Sequence, residues 1–269
     1  MELSILSSTK TEIGKIKLPT QFEEEIRPDL IKRAVLSIQS HKRQPYGADK
    51  LAGKRASATI SKRRRNYRGC YGIGISRTPR KIMSRRGTRM NWVGAFVSGT
   101  VGGMKAHPPK AEKKWEQKLN KKERRKAIRS AIAATLNKQY VKNRGHILPD
   151  DYPFILESKI ESTNKTNQAK ELLEKLGFKE ELERTGKKKI RAGKGKLRGR
   201  KYKTKRGPLL VVSEDCRLSK AAANIPSVEV CNVKNLNAET LAPGAVPGRL
   251  TIFTDKSIQI LEKERLFSQ

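Results

Sequence analysis

The stretch PLLVVSEDCRLSKAAANIPSVEVCNV, residues 208–233, decides the fold class. Its first part, PLLVVSED, is an apolar run of strand length, the following LSKAAANI has the spacing of a short helix, and SVEVCNV again has the pattern of a strand. Strands that alternate with helices form βαβ units, which place parallel strands in one sheet. We therefore predict an α/β fold, with a mostly parallel sheet and flanking helices in a Rossmann-like body.

The alternation continues on both sides of this stretch. PDLIKRAVLSIQSHK (28–42) is predicted to be a helix, because its apolar residues share one face and Pro28 stands near its start, where the missing N–H is not needed. Gly177 is predicted to end another helix. The further predicted elements are strands at 2–7, 12–18, 153–158 and 250–255, and helices at 119–140, 166–178 and 257–267.

The periodicity stops in one long internal segment. From Gln44 to Pro109 the chain contains ten Gly and four Pro and has no sustained helical or strand period. A structureless stretch of this length inside a folded body is uncommon and indicates a function or disorder. We predict a globular α/β domain made of 1–43 and 106–269, a long irregular basic extension at 44–105 inserted in it, and a second basic loop at 186–207.

The formal net charge of +35 is concentrated in the same places. Residues 42–105 contain 17 Lys or Arg against 1 Asp or Glu, and residues 186–207 contain 12 against 0, whereas 1–41 and 208–269 are each balanced. Few neutral partners tolerate such a field, so a polyanion, and by default nucleic acid, is the expected partner. The extension alone buries too little apolar surface to fold, and we expect it to be disordered until its partner orders it.

Composition also limits the compartment and the chemistry. The hydrophobic content of 35% allows a sizeable core, while no apolar run approaches the length that spans a bilayer, and the N-terminus has no signal-peptide pattern. The three cysteines, Cys70, Cys216 and Cys231, are odd in number and lack Cys-x-x-Cys spacing, which argues against a disulfide framework and a thiolate zinc site. We expect a cytoplasmic protein with reduced thiols.

Motifs for cofactors and catalysis are weak. GCYGIG is not a dinucleotide fingerprint, no Walker sequence occurs, and His41, His107 and His146 are scattered, so we expect neither cofactor nor metal. The adjacent carboxylate pairs Glu214/Asp215 and Asp150/Asp151 are more typical of turns or caps than of a metal site. They nevertheless leave open an alternative, a metal-dependent nucleic-acid-processing enzyme.

The extension has features that a simple basic tag does not need. Gly residues allow close approach of the backbone, and Tyr46, Tyr67, Tyr71 and Trp92 offer faces for unpaired bases. We predict binding inside folded RNA, with a general nucleic-acid-condensing protein as a further alternative. The predicted RNA-binding residues are Arg43, Tyr46, Lys50, Lys54, Arg55, Arg63, Arg64, Arg65, Tyr67, Arg68, Arg77, Arg80, Lys81, Arg85, Arg86, Arg89, Trp92, Lys105, Lys188, Arg191, Lys194, Lys196, Arg198, Arg200, Lys201, Lys203, Lys205 and Arg206.

Four segments resemble the L-four family of large-subunit ribosomal proteins in its archaeal and eukaryotic form. They are RPDLIKRAVLSIQSHKRQPYGADKLAGKRASA (27–58), GGMKAHPPK (102–110), IRAGKGKLRGRKYKTKRGPLLVVSED (190–215) and LAPGAVPGRLTIFT (241–254). The resemblance covers essentially the whole chain, and its moderate length is similar to that of the archaeal members.

The resemblance implies a structural protein of the cytoplasmic large subunit, without enzymatic activity. Its partners would be large-subunit rRNA, neighbouring ribosomal proteins and the nascent polypeptide, with no membrane, no small-molecule substrate and no homo-oligomer. It also implies that the protein supports subunit assembly, and that the extension threads through rRNA and helps line the polypeptide exit tunnel. The candidates for the tunnel-facing tip are Ile73, Ile75, Arg77, Thr78, Arg80 and Lys81.

Overall fold

The computed structural model describes residues 1–268 and divides the chain into two units. The α/β unit comprises Met1–Lys42 and the described residues from Glu116 onward, and the basic unit comprises Arg43–Trp115. The predicted extension lies within the basic unit, which continues past Lys105 to Trp115. In the described part of the chain, no helix has the length and apolar character that crossing a membrane requires.

A six-stranded sheet organises the α/β unit and confirms the predicted fold class. Its strands are β1 (Glu2–Leu6), β2 (Glu12–Lys17), β5 (Ile155–Leu156), β8 (Leu209–Val212), β9 (Glu229–Asn232) and β10 (Thr251–Thr254). Their order in the sheet is β2–β1–β5–β10–β8–β9, and only the edge pair β1–β2 is antiparallel. The strand that opens the deciding stretch, β8, pairs parallel with β9, and the helix Arg217–Ala222 connects them, as expected for a βαβ unit.

The helices of this unit include the five that the sequence predicted and three that it missed. Pro28 stands at the first turn of α1, and Gly177, with φ +93°, follows α4 as expected. The missed helices, α3, α5 and α7, contain too few apolar residues to show a helical period. The bounds are α1 (Pro28–His41), α2 (Lys121–Leu136), α3 (Lys138–Asn143), α4 (Thr166–Leu173), α5 (Lys179–Gly186), α6 (Arg217–Ala222), α7 (Ala238–Leu241) and α8 (Asp255–Lys263).

The sheet separates two apolar cores. Alternate residues of β8 point to opposite faces, so that Leu210 and Val212 join one core while Leu209 and Val211 join the other. The first core is closed by α4 and α6, and the second by α1, α2 and α8. Helices on both faces explain why the central strands are continuous apolar runs rather than alternating ones.

The carboxyl ends of β8 and β10 are joined by one side chain, Glu161. Its carboxylate accepts from the N–H and Oγ of Ser213, at 3.0 and 2.5 Å, and from Oγ1 of Thr254 at 2.7 Å. Open α/β sheets usually bind their ligands at this edge. Here the polar groups at the ends of both strands already have an acceptor within the protein.

The basic unit contains a β-hairpin that the sequence did not predict. Strand β3 (Arg80–Arg86) pairs antiparallel with β4 (Arg89–Gly94), and Gly87, with φ +59°, begins the two-residue turn. The extension is therefore not irregular throughout. The hairpin escaped prediction because Arg and Lys occupy both of its faces, so no apolar alternation marks it.

Two further features describe the basic unit. Gly53 and Gly103 pack backbone to backbone, so closely that a Cβ on Gly53 would lie 2.4 Å from the Gly103 carbonyl carbon. The described residues of this unit include only two buried apolar side chains, Cys70 and Ala95. The unit therefore has almost no hydrophobic core of its own.

The second basic loop, residues 186–207, is held by a minimal ladder. Strands β6 (Lys189–Ile190) and β7 (Tyr202–Lys203) pair antiparallel, and a single 3-10 turn, Lys194–Arg198, lies between them. Ile190 and Leu197 are exposed.

Candidate nucleic-acid interface

The predicted cationic residues are directed to solvent. All of them are exposed except Arg68, Arg80 and Arg191, which are half-buried. Within residues 1–268, only Arg55 and Arg206 of this set form an ion pair, with Asp49 and Glu229. The remaining cations have no carboxylate partner in the described chain, and such a surface attracts phosphate strongly because nothing within the protein neutralises it.

Aromatic rings of the basic unit lie beside arginines. Tyr67 has the guanidinium carbons of Arg68 and Arg85 at 5.5 and 5.6 Å from its ring centre, and Arg85 also donates to its hydroxyl at 3.2 Å. Arg80 lies 5.6 Å from the ring centre of Trp92 across the hairpin. The structure thus brings the predicted stacking residues and the predicted phosphate-binding residues together in pairs.

The predicted tip residues occupy a turn-rich segment and the start of β3. Ile73, between Gly72 and Gly74 at positive φ, is exposed, as are Arg77 and Lys81. Arg80 instead folds back, donating to the carbonyl oxygen of Ser76 at 2.7 Å and to its Oγ at 2.9 Å. Ile75 and Thr78 are half-buried beside it.

A cluster around Trp115 was missed by the sequence analysis. The rings of Trp115 and Tyr46 stack with centres 5.7 Å apart and planes inclined by 20°. The guanidinium carbon of Arg43 lies 3.8 Å, and the ammonium of Lys113 4.5 Å, from the Trp115 ring centre. The available signal was a tryptophan directly after two lysines, but it lay outside the segment that composition delimited.

Internal hydrogen bonds shape the second basic loop. Arg191 donates through Nε to the carbonyl oxygen of Arg200 at 3.0 Å, and its backbone N–H bonds to that of Lys201 at 2.8 Å. The ammonium groups of Lys188 and Lys201 lie within 6 Å of the Tyr202 ring centre, at 5.9 and 5.6 Å. These contacts use backbone acceptors and a ring, so the positive charges of the loop stay available to an external anion.

Arg249, which is buried, and Arg144, which is half-buried, were also missed from the sequence and lie near Arg206 at the end of this loop. Arg249 is fully buried, donating to the Gly207 carbonyl oxygen at 3.1 Å and to Glu229 at 2.7 Å. Burial lowers the pKa of Arg249, and Glu229 opposes that change. For Arg144, burial together with the charges of Arg249 and Arg206 lowers the pKa to about 10. Three guanidinium groups, those of Arg144, Arg206 and Arg249, therefore lie near one another at this end of the loop, and Glu229 pairs with two of them.

The comparisons with known proteins agree with these features. The chain is 51% identical over 268 residues to the large ribosomal subunit protein uL4 of Nanoarchaeum equitans, covering 99% of this chain and 100% of the relative. It is 42% identical to the protein of the same name from Archaeoglobus fulgidus, covering 97% and 98%, and 46% identical to that of Methanocaldococcus jannaschii, covering 94% of each. A family model described as "Ribosomal protein L4/L1 family" matches residues 16–264.

The chain belongs to the ribosomal protein L4/L1 family. The resemblance noted in the sequence is confirmed, including its archaeal character, since the relatives named above are archaeal. The family match includes the whole basic unit and the whole second basic loop. Both cationic segments are therefore part of what this member shares with its family.

The carboxylates considered for catalysis are separate in this L4/L1-family chain. Glu214 and Asp215 are exposed after β8, Asp150 is exposed, and Asp151 pairs with Lys10 at 2.6 Å. Among residues 1–268, no three His, Cys, Asp or Glu side chains lie close enough to hold a metal ion. His146 is buried against Glu181, with Nδ1 donating to the carboxylate at 2.7 Å, so it belongs to an internal network.

Proposed function

We propose that this protein is a structural constituent of the cytoplasmic large ribosomal subunit that binds large-subunit rRNA through the basic unit and the second basic loop. One observation carries the proposal: among the 28 predicted contact residues, all cations except Arg68, Arg80 and Arg191 are exposed, and almost all lack carboxylate partners within the described chain. The relatives are named as large ribosomal subunit proteins, which indicates that the RNA partner is the rRNA of that subunit.

The physical mechanism is electrostatic and steric. Folded rRNA packs phosphates densely, and inserted Lys and Arg residues displace condensed counterions and reduce the repulsion between RNA helices. Arginine adds bidentate phosphate contacts and stacking, which suits the Arg-rich stretch from Arg63 to Arg89. The protein thereby supports subunit assembly without catalysing a reaction.

The extension supports a second role within the same particle. We propose that its tip, with Ile73, Arg77 and Lys81 exposed, helps to line the exit tunnel and meets the nascent polypeptide. The exposed Ile73 side chain offers the nascent polypeptide an uncharged surface, and the glycines on either side of it occupy little space in a narrow RNA-walled passage. The α/β unit then contacts neighbouring ribosomal proteins, and no homo-oligomer is required.

The proposal is tested by co-sedimentation of the tagged protein with large subunits through a high-salt wash. Recovery with the particle is expected for the full chain. A variant in which Lys and Arg of 187–206 are replaced by Gln is expected to be recovered less, while Lys220→Gln, at an exposed position on α6, serves as the matched control. Absence of the full chain from washed subunits would refute the proposal.

Binding to an isolated rRNA fragment provides a second measurement. If about ten phosphates are contacted, the logarithm of the affinity should fall with the logarithm of salt concentration with a slope of about −7 to −9. A slope near −2 would mean that the basic segments contact few phosphates. Equal affinity for duplex DNA would favour the condensing protein, and metal-dependent cleavage abolished by replacing Glu214, Asp215, Asp150 and Asp151 would favour the enzyme.

A further inference from the structure

We propose that the basic unit contains a pocket for one unstacked RNA base, formed by Tyr46 and Trp115 and surrounded by cations; the inference rests on the RNA-binding function proposed above. We name it the Tyr46–Trp115 cleft. It has a volume of about 770 Å³, within the size range of small-molecule sites. Besides the two rings, its lining includes Lys105, His107, Lys110 and Lys113.

The two rings form a platform that is open at one end. Tyr46 and Trp115 are nearly parallel, with their centres 5.7 Å apart. Tyr46 is 55% exposed, whereas Trp115 is half-buried. A base can therefore stack on the exposed ring of Tyr46 and extend the stack by one ring. This arrangement accepts any base, because each base has a π-face.

The charges around the platform favour a nucleotide over an apolar side chain of a protein. Arg43 and Lys113 lie 3.8 and 4.5 Å from the Trp115 ring centre, so their charges sit next to the stack. The only carboxylate in the lining is that of Glu112. A base stacked on Tyr46 brings its own phosphate to within reach of these cations, so that one ligand satisfies both the rings and the charges.

The indole group of Trp115 provides a second, independent indication of a bound nucleotide. Its indole Nε1–H is covered but has no hydrogen-bond acceptor among residues 1–268. A covered donor without an acceptor costs free energy, and native structures seldom retain one. RNA supplies carbonyl, hydroxyl and phosphate oxygens that can accept from this N–H once the groups that cover it move aside on binding.

The experiment follows Trp115 fluorescence in the full chain carrying Trp92→Phe, which leaves Trp115 as the only tryptophan. The probes are a short single-stranded RNA of mixed sequence and an abasic ribose-phosphate polymer of equal length. We expect quenching with the RNA and little with the abasic polymer. Tyr46→Ala should weaken the affinity measured by this signal about tenfold, and Tyr46→Phe, which keeps the ring, should preserve it.

Leu51→Ala is the matched control, since it removes another exposed side chain, 58% exposed, from the same unit and should leave the signal unchanged. Equal quenching by both polymers, or an unchanged affinity in Tyr46→Ala, would overturn the base pocket while leaving RNA binding intact. Failure of the full chain to bind either polymer would instead remove the proposed function on which the pocket rests.

Discussion

The guanidinium of Arg184 holds the buried carboxylate of Glu181 through two hydrogen bonds, Nε to Oε2 at 2.7 Å and Nη2 to Oε1 at 2.6 Å. The same Nη2 donates to the carbonyl oxygen of Arg206 at 2.8 Å. Glu181 also accepts from the backbone N–H of Ile147 at 3.0 Å and from His146. One buried charge in α5 thus fixes the end of the second basic loop.

Arg184→Met should destabilise the protein strongly. The substitution leaves the Glu181 carboxylate buried without its cation, and breaking a buried pair on one side costs about 3 kcal/mol or more. Urea denaturation followed by circular dichroism measures the change in the free energy of unfolding. Arg217→Met, at an exposed position on α6, is the control, and a loss no larger than the one it causes would contradict the role of the pair.

Acidification should destabilise the same network, because folding favours neutral His146. Burial lowers the pKa of His146, Arg184 and Arg144 act in the same direction, and Glu181 opposes them. The unfolded chain therefore binds the proton more readily, with a pKa of about 6.5. The stability that neutral His146 contributes is fully present above that pH and decreases as the pH falls below it.

The Glu181 carboxylate adds a second loss at lower pH. Burial acts to raise the pKa of Glu181, but hydrogen bonds from Arg184, His146 and the N–H of Ile147 outweigh it, so its pKa is below the usual value. Its contribution is present above the unfolded pKa, about 4.3, and is lost as the pH falls towards the lower folded value.

Urea midpoints at about pH 7.5 and about pH 5.5 separate the histidine contribution, because Glu181 remains ionised at both. His146→Gln removes the titrating group and should reduce the difference between the two midpoints. His41→Gln, at an exposed position at the end of α1, should leave that difference as in the natural protein. An undiminished difference in His146→Gln would show that the acid sensitivity arises elsewhere.

Glu161→Gln should loosen the carboxyl edge of the sheet. The carboxylate accepts three hydrogen bonds from Ser213 and Thr254, and an amide nitrogen in place of one oxygen accepts none. We expect a loss of about 1–3 kcal/mol in the free energy of unfolding, because Ser213 and Thr254 are buried. Glu171→Gln, at an exposed position on α4, is the control in the same denaturation assay, and equal stability of the two variants would contradict the bridging role.

The sequence predicted what apolar periodicity encodes and missed what depends on distant contacts. Strand β8 and helix α6 were predictable because their buried residues are consecutive or helically spaced. Hairpin β3–β4 was not, since it packs on no core and arginines occupy both faces. Buried charged residues such as Arg249 and Glu181 cannot be told from surface residues in the sequence.

The predicted contact surface shows the same division. Composition was sufficient to delimit the cationic segments, because charge density can be counted along the sequence without knowing the fold. It did not identify Trp115 as the stacking partner of Tyr46, since the two residues are far apart in sequence and meet only when the outgoing and returning chains of the basic unit come together. In the structure, Ala48 N–H bonds to the Pro109 carbonyl oxygen at 3.0 Å where they do.

The basic unit should be ordered by RNA rather than by its own packing. Its described residues bury only Cys70 and Ala95 among apolar side chains, which falls far short of offsetting the conformational entropy of Arg43–Trp115. Unpaired like charges add repulsion that phosphates remove. We therefore expect its backbone amides to exchange rapidly with solvent in the free protein and slowly in the large subunit.

Hydrogen exchange read by mass spectrometry checks this in both states, with the α/β unit as the internal control. Peptides from α2 and β8, which lie in the buried cores, should be protected with or without RNA. Peptides from β3 and β4 should gain protection only in the particle, because the two strands pair with each other but pack on no apolar core. Slow exchange of this hairpin in RNA-free protein would mean that the basic unit is stabilised from within, and its cations would then need another explanation.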